Sequence, residues 1–382
     1  MVFFAQLIFW FSLSAMVYVY VGYPLLLAGI SGFFRKKQPK PGYTPFLSIL
    51  IAAYNEEAGI RRKLEQTLAL EYPADKLEVI VLSDGSTDRT DEIVRSFADP
   101  RVQLLRVTGR KGKTNAQNEG VQIARGEVLI FSDATTIYHP QALLHLASNY
   151  ADPRVGAASG RYQYFDPEGK SPTGLGTVAF WNYENAIKMF QSRIKTISGC
   201  CGCIYSVRRD AYTPLAPEVI SDLVQPLHVI RKGYRVVFED RALAYEETTQ
   251  STSEEFSMRV RVVTRGIRGL LSVSDLLLPW KFGWVSFQLC SHKALRWLVP
   301  FFLLLFLASN LFLWRQPFYQ WTLAAQLIFY GSTLLSLIFP LQKVWKPLGI
   351  PLYFCTLNAA AFCSVIEVLR GKKYIVWETV RT

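Results

Sequence analysis

The chain has 382 residues, 50% of them apolar and 19% charged, and its 42 Lys and Arg outnumber 30 Asp and Glu for a net charge of +12. That apolar content excludes a disordered chain, and the length holds either two ordinary domains or one domain with several membrane helices. Nucleic-acid binding is excluded as the reason for the charge: Lys and Arg flank apolar segments and do not interleave with aromatics in a soluble stripe, so attraction to anionic lipid accounts for them.

Residues 1–34 read as a membrane anchor. From Phe3 to Phe34 no residue is charged, and a span needs only about 20 apolar residues. The basic cluster Arg35, Lys36, Lys37 follows the apolar run, which puts its downstream side in the cytoplasm; a cleaved signal peptide would carry its basic residues first. A short linker, 35–45, leads to residues 46–255, whose mixed composition is that of a soluble domain. Apolar runs predict strands over Phe46–Ala53, Leu77–Leu82, Arg101–Val107 and Val128–Phe131, with helices over Ala58–Leu70, Thr90–Phe97 and Asn115–Ala124 between them. Continuous rather than alternating apolar residues mean strands covered on both faces, as in a parallel doubly wound α/β sheet built of βαβ units.

Within residues 256–294, the stretch Leu270–His292 mixes Leu, Trp and Phe with Lys281 and predicts a helix lying in the membrane interface, or an amphipathic helix packed on the domain. Residues 295–370 hold three candidate spans, Trp297–Trp314, Trp321–Leu341 and Leu348–Leu369, before a tail at 371–382. Three spans after a cytoplasmic domain leave the tail outside, yet Arg370, Lys372 and Lys373 mark it as cytoplasmic. One of the three is therefore expected to be re-entrant or interfacial. Cys200, Cys201 and Cys203 suit neither a disulfide framework nor a zinc site and read as small buried side chains. His139, His145, His228 and His292 have no metal-ligand spacing.

Two buried strands end in carboxylates: LEVIVLSDGSTD reaches Asp84 and Asp88, and GEVLIFSDAT reaches Asp133. Ligands of open α/β sheets settle beyond the carboxyl ends of the strands. Magnesium commonly takes one or two carboxylates and completes its shell with substrate phosphates, so Asp133 is a candidate to hold a nucleotide diphosphate through a divalent ion. The basic loop GRKGKTNA at 109–116 imitates a phosphate-binding loop but has Val107 where the motif needs glycine. Lys111 and Lys113 stay as candidate diphosphate contacts, with a solvated charge run as the alternative.

Six segments in order, IAAYNEE at 51–57, VLSDGSTD at 81–88, KGKTNAQNEG at 111–120, FSDAT at 131–135, SGCCGCIYSVRR at 198–209 and SDLVQPLHVIRKGYRV at 221–236, resemble the inverting glycosyltransferases of family 2. With its flanking apolar segments, the chain further resembles the membrane-bound branch that includes cellulose, hyaluronan and poly-N-acetylglucosamine synthases. The resemblance implies a GT-A-type nucleotide-diphospho-sugar transferase domain, a Rossmann-like mixed sheet, with flanking transmembrane helices. It gives Ala53, Tyr54 and Glu56 to the base and ribose pocket, with Asp84 gripping the base. Asp133 matches the first carboxylate of the Asp-x-Asp metal motif, for Mg2+ or Mn2+, and Thr135 replaces the second. Asp222 matches the general base, with Ser221 where many members have glutamate; its bland alternative is a helix N-cap. The polymer-binding Gln-x-x-Arg-Trp motif is reduced to MRVRVVTRG at 258–266, which keeps Arg259 and Arg261 as acceptor or diphosphate contacts while Met258 and Val262 replace the glutamine and tryptophan. Glu184, beside Trp181 and Tyr183, is a further acceptor candidate, with core packing the expectation for Trp181.

A sugar hydroxyl is a poor nucleophile, and a carboxylate within reach can take its proton as it attacks the anomeric carbon. The implied activity is transfer from a nucleotide diphosphate donor, with UDP the expected carrier, to a lipid-linked or polysaccharide acceptor at the cell membrane. Membrane lipids are expected partners. The alternatives are an inactive nucleotide- or sugar-binding protein, which the joint presence of Asp84, Asp133 and Asp222 disfavours, a processive polysaccharide synthase, and a transporter, which the scarcity of mid-membrane charge disfavours.

Overall fold

Side-chain periodicity puts strand residues on alternate faces, and here both faces are covered. In the computed structural model, which describes residues 1–35, 39–40, 42–165, 174–247, 251–339, 341 and 345–376, β1 (Leu47–Ala53), β2 (Leu77–Ser83), β3 (Val102–Arg106), β4 (Val128–Asp133), β5 (Ile137–Tyr138), β6 (Val155–Phe165), β7 (Ile204–Arg208) and β8 (Arg235–Glu247) form one sheet in the order β3-β2-β1-β4-β7-β6-β8-β5. Lys36 and Lys37 of the basic cluster and the tail beyond 376 lie outside the described residues. Ile49, Ile51, Val79, Val81 and Ile130 face Ile60 and Leu64 of the helix Ile60–Leu68. Leu50, Ile80, Leu82, Leu129 and Phe131 face Ala116 and Val121 of the helix Lys113–Ile123 and Leu223 and Leu227 of the helix Ser221–Arg231. Each fully buried aliphatic side chain contributes about 1.5–3 kcal/mol before entropy is counted.

The expected parallel arrangement holds for β3, β2, β1 and β4, and gives way to a mixed sheet where β7 runs antiparallel to both β4 and β6. β6 and β8 are again parallel. The register sets three strand ends side by side, because Ala53 lies opposite Ser83 and Ala52 opposite Asp133.

Among the described residues, four helices are long and apolar enough to cross a membrane: Val2–Ser31, Trp284–Phe312, Pro317–Ile338 and Lys346–Leu369. The first two each contain one π turn, Tyr18–Gly22 and Cys290–Ala294, and meet there through a 2.8 Å bond between the Tyr18 hydroxyl and Ser291 Oγ. Phe9 packs its ring 4.7 Å from Phe306 and 4.9 Å from Tyr319, tying the first span to the second and third. The last helix lies on the helix Thr252–Ser272, where Ser364 Oγ donates to the Val260 carbonyl (3.0 Å) and Arg259 donates to the Tyr353 hydroxyl (2.9 Å).

The interfacial helix expected between 270 and 292 is instead a series of short turns, Ser274–Leu277, Pro279–Phe282 and Trp284–Leu289. Pro279 has no N–H to continue a helix, so the chain restarts at it. Leu276, Val285 and Leu289 from these turns, with Val273 just before them, are buried in the cluster that holds Leu50 and Phe131, while Trp280 stays exposed.

Candidate active site

The turn after β2 and the loop after β3 are built as one piece. Asp84 is fully buried, and its two carboxylate oxygens accept the backbone N–H groups of Lys111 and Gly112, both at 2.8 Å. The sequence suggests Asp84 as a grip on the base; in the structure its carboxylate holds the basic loop, because that loop brings two otherwise unpaired donors to it. Ala53 is buried and takes part through its backbone, its carbonyl accepting the Asp84 N–H at 3.0 Å. Asn55 adopts a left-handed φ of 52° and accepts the Thr87 N–H at 2.8 Å, while the Glu56 N–H donates to Thr90 Oγ1 at 2.8 Å. Tyr54 presents its ring to the Arg110 guanidinium, 3.9 Å from the ring centre. Lys111 is exposed and reaches Glu119 at 3.5 Å.

Asp133 stands at the carboxyl end of β4 with its side chain 34% exposed, and the ammonium of Lys113, from the first turn of its helix, sits on its carboxylate. Burial opposes the Lys113 charge, but Asp133 outweighs it and raises the pKa. Thr135, in the place of a second carboxylate, donates its hydroxyl to Glu246 at 2.9 Å. Among the described residues no three His, Cys, Asp or Glu side chains converge as a metal cage. One hard, partly exposed carboxylate that already accepts a cation fits a divalent ion whose remaining ligands come from a diphosphate.

Lys63 carries no motif, yet it supports this turn from behind. It is buried on the inner face of its helix, donates to Ser132 Oγ (2.8 Å) and the Thr136 carbonyl (2.6 Å), and lies over the Tyr138 ring. Burial lowers its pKa to about 8 against the opposing pull of Asp133. The only sequence signal is its spacing with Ile60, Leu64 and Thr67 on one helical face.

Asp222 lies in the first turn of the helix Ser221–Arg231, whose N-cap is Ile220, so the capping alternative is not realised. One of its oxygens is buried without a hydrogen-bond partner, and Gly202 opposite leaves room for the other: a Cβ there would sit 2.8 Å from Oδ2. Burial raises its pKa, with Lys113, Lys188 and Lys293 opposing and Asp133 adding to the rise.

On the membrane side, Asp222 lines a cavity of about 340 Å³ between the domain and three of the apolar helices. Trp181, Glu184, Lys188, Arg259, Lys293 and Arg296 share its walls. Glu184 is buried and bound by Arg296 and by His292 Nε2 at 3.2 Å; burial disfavours its charge, and these two groups outweigh that and hold its carboxyl well below the usual range. Arg259 is paired with Glu255 at 2.7 Å, and Arg261 lies outside the cavity wall. Trp181 packs edge-on against Tyr162 at 4.9 Å. Sequence reasoning brings together Asp84, Lys111, Lys113 and Asp133; it misses Lys63, Lys188, Lys293 and Arg296. Cys200, Cys201 and Cys203 are buried and unbridged as expected, and Cys201 Sγ accepts from Lys188 Nζ at 2.9 Å.

Residues 48–215 match the family described as "Glycosyl transferase family 2". That stretch of the chain is similar to a family 2 glycosyltransferase domain. Two curated relatives are a probable glycosyltransferase, YdaM, of Bacillus subtilis (27% identical over 230 residues, 57% of this chain and 54% of the relative) and a poly-beta-1,6-N-acetyl-D-glucosamine synthase of Staphylococcus epidermidis (26% over 235 residues, 59% and 55%). The chain thus spans about half the length of the curated relatives it matches. Among solved structures, the mannosyltransferase PcManGT from Pyrobaculum calidifontis, in complex with GDP-Man and Mn2+, superposes with a TM-score of 0.72 at 22% identity, covering 96% of this chain and 99% of that one. The fold of this stretch is therefore of the GT-A type, and the likeness extends through the apolar helices.

Proposed function

We propose that the protein is a membrane-bound inverting glycosyltransferase that moves a sugar from a nucleotide diphosphate donor, with UDP the expected carrier, to a glycan or lipid-linked acceptor. The observation that carries this is the position of Asp222, which lines the cavity against the apolar helices and lies close enough to Lys113 and Asp133 to feel both charges. A donor seated over the strand ends puts its anomeric carbon between the two compartments, and an acceptor in the cavity meets it from the opposite face.

Asp133 would hold a divalent ion together with the donor diphosphate; that ion, when bound, neutralises charge on the leaving group. Lys113 moves from the Asp133 carboxylate toward the phosphates, and Lys111 adds a second cation as negative charge develops. Asp84 keeps both lysines in place by holding the loop backbone. Asp222 accepts the proton of the attacking hydroxyl; its raised pKa suits a base that must take a proton near neutrality. Attack opposite the leaving group inverts the anomeric centre without a covalent enzyme intermediate. Arg35 after the first span and Lys372 and Lys373 in the tail favour a cytoplasmic domain, where nucleotide sugars are made.

The test is nucleotide release by the detergent-purified protein over a panel of nucleotide sugars, with Mg2+ or Mn2+ and with chelator. Release from one donor that chelation, Asp133→Ala and Asp222→Asn each abolish supports the reading. Donor binding without turnover under any acceptor condition favours the inactive binding protein instead.

A further inference from the structure

The cavity beside Asp222 carries more positive charge than its own carboxylates neutralise. Of its four cations, Arg296 is paired with Glu184, and Arg259 with Glu255. Lys188 and Lys293 form no ion pair with a carboxylate among the described residues; Lys188 donates to the Cys201 thiol and lies over the Trp181 ring, and Lys293 makes no hydrogen bond there. Asp222 and Glu184, the latter already held by Arg296, are the carboxylates whose charges reach them. A buried ammonium is costly to keep charged without a counter-ion, and four cations, Lys188, Arg259, Lys293 and Arg296, against three carboxylates, Glu184, Asp222 and Glu255, leave one positive charge for an entering anion to balance. Apolar side chains share the lining: Trp297, one turn beyond Lys293 on the second candidate span, and Phe354 and Leu357 from the last.

Resting on the transferase reading, we infer that Lys293, seconded by Lys188, is an anion-recognising subsite of the acceptor cavity, selecting an acceptor whose reactive hydroxyl lies next to a phosphate borne on an apolar chain. A phosphate approaching two charges supplies several acceptor oxygens to ammonium groups that have donors to spare, and the apolar lining gives its chain a place that a free anion cannot use. The cavity size matches a headgroup and the first part of a chain. In the transfer, the acceptor hydroxyl oxygen bonds to the anomeric carbon, the bond from that carbon to the diphosphate breaks with its electron pair, and the hydroxyl proton passes to Asp222. The phosphate of the acceptor is bound and not consumed. Lys188 and Lys293 are positioning residues in this scheme.

The test is equilibrium binding to the full-length protein in nanodiscs of radiolabelled dodecyl phosphate and of dodecanol, with inorganic phosphate and a soluble anionic oligosaccharide as competitors. The phosphate ester should bind about tenfold or more tightly than the alcohol, as a charge-assisted contact predicts. Lys293→Met should collapse that ratio, Lys293→Arg should keep it, and neither competitor should displace the ester. An alcohol-to-ester ratio near one in the unaltered protein, or a ratio that survives Lys293→Met combined with Lys188→Met, overturns the subsite. Displacement by inorganic phosphate makes it a free-anion site, and displacement by the oligosaccharide a soluble-glycan site; either overturns the inference. Nucleotide-sugar binding measured on the same samples separates the two readings: retained donor binding with no ester preference sinks the inference alone, and absent donor binding sinks the transferase reading with it.

Discussion

Asp222 combines two properties that ordinarily conflict, a partly buried carboxylate and an oxygen without a hydrogen-bond partner. Burial raises its pKa, so transfer should fall on the acid side with a midpoint above the ordinary aspartate value of about 3.9. Asp222→Asn should cost roughly 10²–10⁴ in turnover, the range for a lost general base, with donor affinity nearly kept. The same substitution should stabilise the fold at neutral pH. For a carboxyl whose folded pKa exceeds its unfolded one, the stabilisation is fully present below the unfolded pKa and is lost as pH rises through the folded pKa. The advantage of the asparagine variant in thermal midpoint should therefore shrink toward acid, and a constant difference across that range would refute the assigned cause. Lys63 makes the complementary case. Lys63→Met leaves the Thr136 carbonyl unpaired behind the Asp133 turn, which should destabilise by about 1–3 kcal/mol. Denaturant midpoints, with donor affinity measured alongside, check whether the turn loosens. Asp84, Asp133 and Asp222 were legible because each ends or opens an element the sequence makes obvious. Lys63, Lys188 and Lys293 were not, since the groups that surround them come from other elements and leave no local period.

The elements of the domain were legible for a related reason. Strands buried on both faces spell continuous apolar runs, so β1, β2 and β4 differ from expectation only at their ends. The reversal at β7 has no such signature, because hydrophobicity records burial and not direction. Nor does the return of the tail: Arg268 donates to the Lys372 carbonyl at 2.9 Å, Lys373 reaches Glu218 at 2.9 Å, and the Ile375 carbonyl packs on Gly112. Gly112 has φ of 90° and no room for a Cβ against Ile375. Gly112→Ala should thus lose about 1–2 kcal/mol from backbone strain alone, and more in the intact chain, where the tail must also move. In a chain stopped after Gly371 only the strain term should remain. Equal losses in the two backgrounds, measured as a double-mutant cycle, would show that the tail does not couple to the loop.

At the scale of the molecule, the same tail bears on how many helices cross the bilayer. Arg268 and Glu218 lie on the side of the sheet domain, and their contacts put the chain at Lys372 and Lys373 on that side too. A membrane arrangement that keeps these contacts needs an even number of crossings between the domain and the tail, although three apolar helices lie between them among the described residues. The helix Lys346–Leu369 is the one to set aside. It is 39% buried against 22% and 17% for the other two, it packs on the helix Thr252–Ser272 of the domain side, and it buries Thr356, Asn358 and Ser364. The prediction is that Trp284–Phe312 and Pro317–Ile338 cross as a hairpin whose connection carries Arg315, with the last helix along the membrane face of the domain, where it lines the cavity beside Asp222. Single cysteines introduced at Arg315, Lys346 and Lys373 can be probed with a membrane-impermeant maleimide on intact cells. The reagent should reach position 315 from outside, and positions 346 and 373 only after permeabilisation. Labelling of 373 but not 346 in intact cells would mean that the last helix crosses, and that the tail cannot rest on the donor loop as it does in this structure.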